Sequence, residues 1–217
     1  MINIQWYGHS MWKVSTEKVS MVFDPFGDIG YPMPKDIITN IVISSHEHPN
    51  HSNFKLFPIQ NYKKITQMGT YHLEDIKIKL IEVSHGQYNG KKLGDSFISI
   101  VKLDGISIIH CGDIGVIPNF DVMKEISDAD ILFIPIGGNL TINAELAKII
   151  IDHIKPKIVF PMHYKTEVLK INNIEGVEPF LSLYPETEVV KSDNVNISKE
   201  NFNSKKIRIF KLDYPVK

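Results

Sequence analysis

The chain has 217 residues, 43% of them hydrophobic, and 24 basic against 25 acidic side chains leave a formal charge of −1. That is enough apolar material for one sizeable core, so a single domain over residues 1–217 is expected, and the near-zero charge excludes a global field that would recruit nucleic acid or an anionic membrane. The lone Cys111 excludes an internal disulfide, and neither a basic-then-apolar leader nor a membrane-length apolar run is present, so a cytoplasmic, membrane-free protein is expected.

In chain order, Ile2 to Trp6, Met11 to Val14 and Val19 to Phe23 read as short strands separated by turns at Gly8-His9-Ser10 and Ser15 to Lys18. Asp24-Pro25-Phe26-Gly27, followed by Gly30, Pro32 and Pro34, predicts a loop that returns to a buried strand at Ile41 to Ile43. Lys63 to Thr66, Ile76 to Val83, Phe97 to Leu103 and Ile106 to His110 continue the β pattern, with Asp104-Gly105 as a hairpin turn. Helices are predicted from an Asp121 cap through Ile126, from an Asn143 cap over Ala144 to Ile154, and over Val177 to Leu183. Strands at Ile131 to Pro135, Ile158 to Pro161, Glu188 to Val190 and Lys206 to Leu212 complete an arrangement of two sheets with helices outside.

The run Ile41-Val42-Ile43-Ser44-Ser45 ends by delivering His46, His48 and His51. Neutral imidazole is the commonest protein ligand for zinc, and a strand end can aim several rings at one point. His46 and His48, two positions apart, share a side, while Pro49 bends the chain and swings His51 toward a second point. Three further polar groups sit where apolar strands end: His85, Asp113 and His163. Gly112 permits close backbone approach beside a carboxylate able to bridge two cations.

Seven stretches in order, WYGHS (6–10), FDPF (23–26), SSHEHPNH (44–51), VSHG (83–86), HCGDIG (110–115), PIGGNLTI (135–142) and PMHYKT (161–166), resemble the metallo-β-lactamase superfamily, in its small metal-dependent hydrolase branch, which is ascorbate-phosphate lactonase-like. The resemblance implies an α/β fold, a four-layer αββα sandwich, with a two-metal cleft at one edge of the paired sheets. It implies His46, His48 and His85 as ligands of a first zinc, His51 and His163 of a second, and Asp113 as the bridge, with manganese or iron as alternative occupants.

One position departs from the family pattern: an aspartate is expected before the last histidine of the first cluster, and Asn50 stands there. An amide offers only its carbonyl oxygen, a weaker ligand than carboxylate, and cannot carry a proton near neutral pH. Counting charge on the five histidines and Asp113 alone, a second ion is under-compensated, so the second site is expected to hold zinc less firmly. Asp113 and Asn50 are thus the positions where catalysis is expected to succeed or weaken. The activity implied is hydrolysis by a metal-bound hydroxide of a small anionic or cyclic ester, lactone or phosphodiester. The competing reading is a catalytically weakened metal-binding protein that senses or interacts. A small-molecule substrate is expected rather than nucleic acid, and a homo-oligomer is compatible with the sequence. His9 and His110 read equally as site groups or packed histidines, Asp24 as a partner for a ligand imidazole or a turn cap, and Tyr164 as an oxyanion donor or a cover. Asn139 and Thr141 read as pocket-wall candidates, His72 and His153 as surface residues, and Cys111 as a small apolar filler.

Overall fold

The computed structural model describes residues 1–57, 61–88 and 91–215. Its strands form two large sheets. The six-stranded sheet runs from edge to edge as Asn194–Ile197, Ile2–Gly8, Met11–Ser15, Ser20–Phe23, Ile41–Ile43 and Lys63–Ile65. The eight-stranded sheet runs Glu188–Val190, Arg208–Leu212, Ile158–Met162, Ile131–Pro135, Ile106–His110, Asp95–Leu103, Ile76–Ser84 and Gly69–Leu73. A short hairpin, Gln87–Tyr88 with Lys91–Lys92, follows the strand that leads to His85.

Alternation assigns the faces. In the first sheet Trp12, Val14, Met21, Phe23, Ile41 and Ile43 point into the core shared with the second sheet, while Met11, Val22 and Val42 point the other way into a smaller cluster with Phe26, Ile29, Tyr31, Ile37, Leu56 and Leu169. In the second sheet the parallel strands Ile131–Pro135 and Ile158–Met162 are buried at every position, as strands covered on both faces must be. The helices α1 (Phe120–Glu125), α2 (Ala144–Ile154) and α3 (Glu178–Leu183) all lie in connections between strands of this second sheet. The outer cover of the first sheet is instead built from the 165–174 loop, a 3-10 turn at Phe54–Leu56 and the 24–40 loop, whose prolines and glycines do not sustain a helix. The α/β sandwich therefore carries its α-helices on one side and loops on the other.

The Asn143 cap is as expected, with its side chain accepting from Leu146 N, whereas α1 is capped two residues earlier than its sequence suggests: Asn119 accepts from Val122 N, and Asp121 lies inside the first turn. Asp121 there still favours the positive helix end. Besides the short Gln87–Tyr88 and Lys91–Lys92 hairpin, two sheet strands went unpredicted, Gly69–Leu73 and Asn194–Ile197. Both are edge strands with little buried apolar content, so their pairing is set by the neighbouring strand rather than by their own pattern. Among the described residues no helix is long and apolar enough to cross a membrane.

An aromatic seam joins the sheets. Phe133 lies 4.7 Å from Trp12, 5.2 Å from Phe160 and 6.2 Å from Phe23 between ring centroids, and is fully buried. Because it touches both layers, Phe133→Ala is expected to cost ~3–5 kcal/mol, read as a lowered urea midpoint at unchanged slope; a loss under ~1 kcal/mol contradicts this account of the core.

Candidate metal centre

The polar groups singled out in the sequence all follow strand ends. His9, Asp24, His85 and His163 come directly after Ile2–Gly8, Ser20–Phe23, Ile76–Ser84 and Ile158–Met162; His46 and Asp113 come three positions after Ile41–Ile43 and Ile106–His110. Both sheets thus present their strand termini to one edge of the sandwich. Close packing of the loops there requires missing side chains: a Cβ on Gly115 would stand 2.0 Å from the carbonyl oxygen of His85, and one on Gly112 (φ +55°) would stand 2.6 Å from that of Phe97.

Asp113 is the meeting point. Its Oδ2 lies 3.1 Å from His51 Nε2, 3.2 Å from His163 Nε2 and 3.5 Å from His85 Nε2, while its Oδ1 is buried without a partner. Four overlapping groups place ligand atoms within 4.8 Å of one another: His46, His48 and His51; His46, His85 and Asp113; Asp24, His51 and Asp113; and His9, His51 and His163. The arrangement is more interleaved than a division into His46, His48, His85 against His51, His163 implies. His51 belongs to three of the four groups, and His46 joins the two halves.

Asp24 organises the histidine loop from beneath. It accepts from Ser45 N at 2.6 Å, from Ser45 Oγ at 2.7 Å and from His51 Nδ1 at 3.0 Å. Since the Ser45 hydroxyl proton goes to Asp24, its oxygen is left to accept from His46 Nδ1 at 3.0 Å. The tautomer of His46 is thereby fixed with Nε2 bare, the orientation a metal ligand needs. Of the two readings of Asp24 its contacts match the imidazole partner, since its carboxylate holds His51 Nδ1 and the distant Ser45 backbone rather than its own turn. It also corrects the charge count, adding a second buried carboxylate. The sequence signal for this relay was the serine immediately before His46.

The remaining candidates separate clearly. His110 donates from Nε2 to Ser10 O at 2.9 Å, accepts at Nδ1 from Gly112 N at 3.2 Å and stacks on Phe23 at 5.0 Å, so both its nitrogens are engaged, one across the sheets and one in its own loop. His9 is equally buried, yet neither ring nitrogen has a hydrogen-bond partner. His48 is exposed, and its Nδ1 takes a long 3.3 Å bond from Asn50 N. Tyr164 is buried in the core with its ring 5.3 Å from that of Trp6. Thr141 is buried with its hydroxyl donating to Ile142 O inside its own loop, and Asn139 is exposed at φ 55°. Cys111 is fully buried, and burial pushes its thiol pKa up, as suits an inert filler. His72 and His153 are exposed.

Charge follows from these contacts. Burial favours the neutral form of Asp113, but the facing His163 and His51 outweigh it and hold the carboxyl well below its usual range. His51 experiences the same contest: burial lowers its pKa, while Asp113 and Asp24 on either side raise it to about 10. Burial, reinforced by His51, lowers His46 to about 4. The edge therefore holds two anionic carboxylates facing a set of imidazole donors, which is the donor chemistry that borderline divalent cations select. Unpartnered buried atoms on His9, His85, His163 and Asp113 fit the same purpose, since a protein interior rarely leaves such atoms unsatisfied without a use for them.

A family model described as a beta-lactamase superfamily domain matches residues 3–163. A metal-dependent hydrolase of Carboxydothermus hydrogenoformans is 27% identical over 194 residues, covering 76% of this chain and 85% of its own length. Among solved structures, a candidate Zn-dependent hydrolase of the metallo-beta-lactamase superfamily from Thermotoga maritima superposes with a TM-score of 0.80 at 29% identity, covering 98% of this chain and all of its own. An isothiocyanate hydrolase from Delia radicum gut bacteria shares the fold at a TM-score of 0.70 and 12% identity, over 90% of this chain and 99% of that one. With its strand-end histidines gathered on Asp113 and a family match spanning most of its length, the chain belongs to the beta-lactamase superfamily.

Proposed function

We propose that the protein is a zinc-dependent hydrolase of a small ester, lactone or phosphodiester, anionic or cyclic, with His46, His48 and His85 holding a first ion, His51 and His163 a second, and Asp113 serving both. The observation that carries this reading is the convergence of three imidazole Nε2 atoms within 3.5 Å of one buried carboxylate oxygen. A divalent cation bound there supplies Lewis acidity and lowers the pKa of a water molecule from ~15.7 toward ~7, which makes a nucleophile available at neutral pH. Asp113, held anionic, offers two oxygens on two sides and acts as an acceptor rather than an acid. Asp24 keeps the His51 ring in place through Nδ1. Asn50 cannot return a proton to a leaving group, so that proton must come from another source. The imidazole-rich donor set favours zinc over manganese, with iron as the nearest alternative. The Thermotoga relative's description as Zn-dependent supports the same choice. A near-neutral chain and the single cysteine support a small-molecule enzyme of a reducing cytoplasm.

Asn50 supports a second reading, a metal-binding protein with little turnover. Elemental analysis combined with a panel of lactone, phosphodiester and β-lactam substrates separates the two. Turnover that falls at least ~100-fold in Asp113→Asn, together with weakened metal retention and an unaltered circular dichroism spectrum, is the outcome expected of the hydrolase. Full metal loading without turnover, rescued by Asn50→Asp, favours the second reading.

The charge state of His51 gives an independent test. At about pH 8 the ring is still protonated between its two carboxylates, because its pKa is raised to about 10, whereas His46 is already neutral. A cation taking His51 Nε2 must displace that proton, so zinc binding is expected to release roughly one proton per chain from this residue. Calorimetric titrations in buffers of different ionisation enthalpy measure it directly. The release should shrink as pH rises past 10, and a buffer-independent heat at pH 8 contradicts the assignment.

A further inference from the structure

The unexplained feature of the edge is His9. It sits in the turn between Ile2–Gly8 and Met11–Ser15 with φ 51°, an unfavourable backbone for a residue with a side chain, and is fully buried with both ring nitrogens unpartnered. His110, as deeply buried, has both nitrogens satisfied, so burial of histidine in this fold does not in itself leave donors idle. Two bonds to its carbonyl oxygen fix the His9 backbone: Trp6 Nε1 donates at 3.1 Å and His163 N donates at 3.2 Å. The second ties the backbones of His9 and His163 together. Their rings lie 4.1 Å apart between centroids, the His51 ring lies 5.2 Å from His9, and one nitrogen from each of the three falls within 4.8 Å of the others.

We propose that a ring nitrogen of His9 is a ligand of the second ion, joining His51, His163 and Asp113 and occupying the coordination place that the family pattern gives to an aspartate at position 50. The proposal rests on the reading of this edge as a divalent-metal site. A set of three imidazoles and one carboxylate oxygen satisfies four-coordinate zinc. It also alters what the site selects: replacing a carboxylate by an imidazole shifts preference away from manganese and magnesium toward zinc and cobalt. Asn50 then stands relieved of a ligand role, consistent with its partly exposed position.

The test compares wild type, His9→Ala, His9→Gln, Asn50→Asp and the His9→Ala/Asn50→Asp double variant, each stripped and titrated with zinc and then with cobalt(II). Stoichiometry comes from elemental analysis, affinity from competition with a chelating dye, and coordination from cobalt absorption between the visible bands. Expected are two ions in wild type, and in His9→Ala one ion retained and the other weakened at least ~10-fold with an altered cobalt spectrum. Partial or full recovery is expected in the double variant, where a carboxylate returns to position 50. If His9→Ala does not fold, His9→Gln, nearer in size and unable to supply an imidazole, carries the same expectation. Two ions held at wild-type affinity with an unchanged spectrum overturn the assignment while leaving the hydrolase reading intact. Equal weakening of both ions also overturns it, since that marks a packing role. A wild-type chain that binds neither metal overturns the assignment and the hydrolase reading together.

Discussion

A carboxylate buried at the edge of two sheets sets the terms for the surrounding structure. Removing Asp113 from water costs several kcal/mol unless its charge is met, and it is met by imidazoles from three different loops, His51, His85 and His163. Those loops belong to both sheets, so the charge can be compensated only when the sandwich has closed with its strand termini aligned. The close backbone approach of Gly115 to His85 is one mechanical consequence: side chains are excluded where loops must meet. Fold and site are therefore not independent. The aromatic seam around Phe133 holds the sheets at the spacing which the imidazoles need, and His110, stacked on Phe23 and bonded to Ser10, extends that seam to the rim.

Asp24 solves a second problem. An imidazole is ambiguous, since either nitrogen can carry the proton, and a ligand must present the bare one. By taking the Ser45 hydroxyl proton, Asp24 leaves the serine oxygen able only to accept from His46, and by facing His51 Nδ1 it makes that atom a donor. One carboxylate thereby fixes two rings. In the absence of a cation the same carboxylate and Asp113 keep His51 protonated, so that proton and metal compete for one place. With His51 protonated the two carboxylates leave one negative charge uncompensated rather than two, which lowers the cost of burying them before any cation binds.

How much of this was legible in the sequence depends on range. The histidine cluster, its position after a buried strand, the Asn143 cap and the Asp104-Gly105 turn are local, and each carries its own pattern. The strand Gly69–Leu73 is not, because an edge strand with alternating exposed positions draws its register from Ile76–Ser84 alone. His9 and His110 show the limit more sharply. Each is one histidine beside a strand end, indistinguishable by composition, yet one is satisfied by Ser10 and Gly112 and the other faces His51 and His163 with bare nitrogens. The decisive pairs, His110 with Ser10 and His9 with His51 and His163, lie far apart in the chain, and no local signal encodes them. Asn50 presents the reverse case: visible as a departure in sequence, it acquires meaning only once the neighbours of the second site are known.

Backbone strain shows where stability has been traded for placement. His9, Asp24 and His163 all adopt φ between 44° and 52°, a region that glycine would occupy at far lower cost. Each such residue costs on the order of 1–3 kcal/mol, and each is held by specific bonds: Asp24 N to Ile43 O at 2.9 Å, and His163 N to His9 O at 3.2 Å. Glycine at any of the three would relax the chain and delete the side chain that the edge requires. Three such residues stand at one rim, each directly after a strand end and each carrying a metal-competent or metal-orienting group, and the left-handed conformation breaks the extended path of the chain at those points. A site of this kind needs no long loops, only strand ends that break direction abruptly, so its geometry is as rigid as the sheets that carry it.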